Sequence, residues 1–193
     1  MKNYLVLFLL FSGAIAACKS KKKEQEKKFV SVLSLIESQV AHIDTSIYPI
    51  IKVEQTDSLP GDTMYIPREE FRAAAKDFLS IPDLSDKKVA KRYKMETLFD
   101  ETINRVIITY TPEDPVKEEI QKQELLVTPN TSDGDKVNNI IIIRVINNRD
   151  SFMKKNMLWL MDKSFQVVTT VQKPGKPEKT TTVKVAWNEG YDQ

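Results

Sequence analysis

The sequence predicts an α+β domain in which two N-terminal amphipathic helices pack on a curved antiparallel meander sheet of about seven strands. Two patterns carry that reading. Helical three-and-four spacing of apolar residues is confined to two early segments, and everything beyond Tyr93 reads as short β-rich runs separated by polar turns. Helices first and strands afterwards point to one α+β layer structure rather than to alternating units with a parallel sheet.

The first helix is read from Phe29, Val32, Leu33, Ile36, Val40 and Ile43, one apolar face that ends between residues 44 and 49. An extended run at 50–55 leads to Leu59, Pro60, Gly61 and Asp62, where the Pro-Gly pair marks a tight turn. Pro67 suits the first position of the second helix, whose stripe is Phe71, Ala74, Ala75 and Phe78. Residues 86–92 form a helical turn or a loop. Seven strands follow, at 93–99, 103–110, 120–127, 139–146, 151–161, 165–172 and 180–187. In the last two, Phe165, Val167 and Val171, then Val183, Val185 and Trp187, oppose polar neighbours, so one face is buried and the other wet. Residues 140–146 are apolar on both faces, which suits a central strand covered on both sides.

The N-terminus has a different character. Lys2 precedes an apolar run at 4–11 that is too short to span a bilayer. After it comes Ile15-Ala16-Ala17-Cys18. This tetrapeptide resembles the lipobox of bacterial lipoproteins, with Ile15 where leucine is commonest. The resemblance implies export, cleavage between Ala17 and Cys18, acylation of Cys18 and a membrane anchor. Cys18 is the only cysteine, so no disulfide forms within the chain and the fold rests on packing.

The domain plan is therefore a signal peptide at 1–17, a lipidated cysteine and basic tether at 18–28, and one globular domain at 29–193. Residues 19–28 hold six lysines, two glutamates and no apolar side chain, which makes them a spacer. Lys19 is not the aspartate that retains some lipoproteins in the inner membrane, and the tether lacks an acidic export run. The location so implied is the cell envelope, at the outer membrane facing the periplasm. The net charge of +2 resides in the tether, and the remainder is slightly acidic. No nucleic-acid partner is implied.

Catalytic parts are scarce. There is one histidine, His42, flanked by Glu37 and Asp44, and it reads as a surface residue. No Cys/His set exists for zinc, and with five glycines neither a phosphate loop nor a nucleophile elbow is present. Asn130-Thr131-Ser132-Asp133-Gly134-Asp135 has some calcium-loop character without its closing glutamate, and reads as a turn. Glu113, Asp114, Glu118 and Glu119 read as solvated charges. No catalytic residue, metal or cofactor is expected.

Met153, Met157, Trp159 and Met161 fall on one face of a strand, with Lys155 among them. Such a face is either core beneath the helices or an adaptable apolar surface for a greasy ligand. The function expected is a membrane-anchored binding or accessory module for a hydrophobic ligand or a protein partner. In broad outline, helices followed by a long meander resemble lipoprotein-carrier and lipocalin-like folds. The alternatives are a carboxylate-based hydrolase, which would need two acids converging in a cleft, and a structural component of an envelope assembly.

Overall fold

Val32, Ile36, Val40 and Ile43 recur at helical spacing, and all four are buried along one side of α1 (Val32–Ile43). In the computed structural model, which describes residues 29–188 except 44, 46 and 58, α1 is the one helix that precedes the strands. The expected signal peptide with Ala17 and Cys18, the expected tether and Asp44 lie outside the described residues.

The predicted architecture is corrected in two respects. The sheet has nine antiparallel strands, not about seven, in the order β2-β1-β9-β8-β7-β6-β5-β4-β3. The helices are short, and all but α1 lie between β2 and β3. The two extra strands are β1 (Ile50–Thr56) and β2 (Leu59–Ile66), paired as a hairpin. Pro60 and Gly61 sit inside β2 instead of making the turn. An edge strand tolerates this because the N–H that proline lacks has no neighbour to reach on the outer side. Gly61 lies so close to β1 that a Cβ there would stand 3.1 Å from Val53 Cγ1.

The predicted second helix is divided at Ala75 into α2 (Arg68–Ala74) and α3 (Lys76–Leu79), followed by α4 (Lys87–Ala90), which Asp86 caps by accepting from the N–H groups of Lys88 and Val89. The meander then runs through β3 (Tyr93–Asp100), β4 (Arg105–Pro112), β5 (Ile120–Thr131), β6 (Gly134–Asn147), β7 (Phe152–Leu160), β8 (Ser164–Gln172) and β9 (Lys179–Ala186). β1 docks on the free side of β9. The chain between β2 and β3 thus carries α2 to α4 from one edge of the sheet to the other.

All the helices with core residues pack on one face. Register places Leu125, Ile140, Trp159, Phe165 and Val185 in one row across that face, and each is at most 1% exposed. Phe71 and Phe78 descend on this row from α2 and α3, with ring centroids 6.4 and 5.0 Å from Trp159, and Trp187 closes the cluster at 5.5 Å. Ile141, Ile143, Leu158 and Val168 occupy the opposite face and are only half-buried. Residues 140–146 are therefore covered on one side by the described residues, not on both. Their unbroken apolar run reflects burial on one face and mutual shielding of neighbours on the other.

Candidate functional site

The helices do not cover the whole of their face. Beyond the aromatic row, register brings Arg144, Lys155, Thr169 and Thr181 into line across β6 to β9, and Met153, Val171 and Lys179 into the next line. At this boundary Lys155 Nζ meets Asp77 Oδ1 of α3 at 2.5 Å, with 16% and 22% of the two side chains exposed. Arg144 donates to Glu119 at 2.6 and 2.9 Å and to Ser80 Oγ at 3.0 Å. These pairs hold the end of α3 against the sheet and neutralise two cations that stand directly opposite each other on adjacent strands, where like charges repel.

Past that belt lies an open groove of about 730 Å³. Its floor is Thr169, Val171 and Thr181, from β8 and β9. One wall is the β8–β9 loop, with Lys173, Lys176, Pro177 and Glu178, and Lys179 stands at the mouth. The loop reverses at Gly175, whose φ of 69° is open to glycine and strained for other residues. On the far side Asp57 is fixed to β9: its carboxylate accepts from the Thr180 N–H at 2.6 Å, and its own N–H donates to the Thr180 carbonyl at 3.3 Å. Three lysines against Glu178 and Asp57 leave the lining with one net positive charge. Two methyl-bearing threonines and a valine give the groove an apolar floor with two hydroxyls.

The candidate ligand face is divided by the structure. Met157 and Trp159 are 1% and 0% exposed and belong to the packed core, where Trp159 stacks on Phe165 at 5.1 Å. They are not presented to a ligand. Met153, near the start of β7, and Met161, just past its end, are half-buried. Met161 lines a smaller hollow of about 270 Å³ with Asn138, Asn139 and Asp162, near the β7–β8 turn. The Met-Trp stripe therefore does not form one surface.

The other singled-out residues are dispersed. His42 and Glu37 are exposed on α1, and the His42 carbonyl accepts from Thr45. The 130–135 segment is a hairpin turn in which the Asn130 N–H is bound by Asp135 at 3.0 Å and Thr131 Oγ1 donates to the Gly134 carbonyl. Each carboxylate of the β4–β5 loop holds its own cation: Glu113 with Lys94, Asp114 with Lys117, Glu118 with Arg92 and Glu119 with Arg144. Among the described residues no three His, Cys, Asp or Glu side chains are grouped to hold a metal ion, and no helix is long and apolar enough to cross a membrane.

Two buried groups escaped sequence reasoning. Tyr93 donates to Glu118 Oε2 at 3.2 Å, and burial, followed by the Glu118 charge, pushes its phenol well above the usual tyrosine range. Gln123 is 1% exposed between Tyr110 and Ile142 on adjacent strands, and neither its amide nitrogen nor its oxygen has a protein partner. Alternation along residues 120–127 places Gln123 in phase with Leu125 and Val127, which was the available signal for its burial.

No family model matches the chain, and neither the search of curated proteins nor that of solved structures finds a significant match.

Proposed function

We propose that this chain is a cell-envelope lipoprotein, held at the periplasmic face of the outer membrane by acylated Cys18, whose globular domain binds a ligand and performs no chemistry on it. The anchor is supported by the spacing of Ile15, Ala16, Ala17 and Cys18 behind a short apolar run. The binding role is supported by the groove of about 730 Å³ on the part of the helix-side face that the helices leave bare. That volume is within the range of small-molecule sites, roughly 300 to 1,000 Å³. An apolar floor beneath a lysine rim suits an amphiphilic anion, with its apolar part on Val171 and its charge among Lys173, Lys176 and Lys179. Residues 19–28, extended, let the domain stand up to roughly 35 Å from the lipid surface.

Two measurements test the two halves separately. Cys18→Ala should move the protein from the membrane to the soluble fraction and remove the acyl mass; unchanged fractionation would contradict the anchor. For binding, oleate serves as the probe in calorimetric titration of the detergent-solubilised full chain. Val171→Asp should weaken binding about tenfold or more, a loss of roughly 1.4 kcal/mol, while an unchanged affinity would remove the groove from the reading.

A further inference from the structure

The two edges of the sheet are built differently. In β2, Pro60 offers no N–H, and the register with β1 slips between Glu54 and Thr56. Such features blunt an edge against further strands. β3 pairs with β4 at eight consecutive positions without a slip, and it contains neither proline nor glycine. Leu98 and Phe99 project from its opposite faces and are 64% and 48% exposed, and Ile103 beside them is 46% exposed. Among the described residues β3 has a strand on one side only.

We propose that β3 is a self-association edge, through which two copies of this chain pair antiparallel and join their sheets into one. The sequence of β3 fixes the register. A two-fold axis relating antiparallel strands stands perpendicular to the sheet, so residues directly opposite must come from the same face of β3. Two registers then give nearly full overlap. One sets two Glu96 carboxylates face to face. The other sets Thr97 opposite the partner's Thr97 and Lys94 opposite the partner's Asp100, twice over. Like charges directly opposite destabilise and opposite charges help, which selects the second.

Both charges already have contacts within the chain, Lys94 with Glu113 at 3.1 Å and Asp100 with the N–H groups of Thr102 and Ile103. Lys94 keeps 57% of its side chain exposed, so the charge pairing selects the register while covering Leu98 and Phe99 drives association. The same axis turns both helix-side faces the same way. Phe29, the first described residue, stacks on Tyr110 at 4.7 Å, one strand in from β3, so both copies of Phe29 lie on that common side. Two copies joined in this way reach a single membrane, a point that rests on the proposed anchor; the pairing itself does not.

The test is disulfide cross-linking of the full-length protein in detergent. Thr97→Cys places two sulfurs on the axis at a Cα separation of about 4.5–5.5 Å, which a disulfide spans. Glu96→Cys leaves its two copies on a diagonal about 7–8 Å apart, beyond easy bridging. After mild oxidation most of the Thr97→Cys chains should run at doubled mass, with little product from Glu96→Cys or from the parent carrying Cys18 alone. Equal cross-linking of the two variants, or more from Glu96→Cys, would overturn the register. Thr97→Lys, at an exposed position, should keep the circular dichroism spectrum of the folded chain and convert dimer to monomer in native mass spectrometry. A dimer that survives Thr97→Lys, or a parent that is monomeric throughout, would overturn the edge itself.

Discussion

The helix-side face of the sheet has two ends that share strands and differ in everything else. At one end Phe71, Phe78, Trp159, Phe165 and Trp187 interlock, and four of the five are at most 1% exposed. At the other end the same strands continue as Thr169, Thr181 and Val171, which line the groove with no helix residue among its described lining. Between the two runs the belt of Asp77 with Lys155 and of Ser80 and Glu119 with Arg144. The contrast teaches that β7 to β9 do two jobs along their length, and that the short α3 sets where one gives way to the other.

If the comparison is right, substitutions at the covered end cost stability and those at the bare end cost binding. Trp159→Ala should have the largest effect, about 3–5 kcal/mol and a fall in melting temperature of the order of 10 °C; a near-neutral melt would show that the cluster is not the core. Asp77→Asn, at the belt, removes the charged acceptor of a partly buried lysine and should cost about 1.5 kcal/mol, the lower end for such hydrogen bonds given the residual exposure. If the belt has only a local role, urea denaturation will show no change. Gln123→Leu should act in the opposite direction, raising stability by roughly 1 kcal/mol, because it replaces a buried amide without protein partners by an apolar group of similar size; a loss would mean that the amide is satisfied in solution.

The last effect is in alkali. Tyr93 and Tyr110 both have raised folded-state pKa values, chiefly from burial. Their contribution is complete below the unfolded value of 10.0 and declines as the pH climbs above it, because the unfolded chain releases those protons first. Melting temperature should therefore drop between about pH 9.5 and 11, and Tyr93→Phe should flatten the drop. A parallel drop in the variant would assign it to other groups.

Much of the fold was legible where one periodicity ran unopposed. The α1 stripe from Val32 onward and the alternation in β8 and β9 are legible because each buries a single face, whereas Phe29, predicted on the same helix, precedes it. The β1–β2 hairpin was missed because Pro60 and Gly61 carry turn chemistry, and an edge strand accepts them. The nature of residues 153–161 was ambiguous for a physical reason: one alternating face crosses the boundary, so Met157 and Trp159 are core while Lys155 belongs to the belt and Met153 lies beyond it. Composition does not encode where a helix on another part of the chain stops. The groove was not legible at all, since its lining comes from β8, β9, their loop and the distant Asp57.

The division of the face is tested most directly by mapping backbone amide shifts of the isotopically labelled full chain in detergent during titration with oleate. The account predicts saturable shifts at Thr169, Val171, Lys179 and Thr181, with the amides of Trp159 and Phe165 unmoved. Shifts concentrated at the aromatic row, or none at the four groove positions, would contradict it.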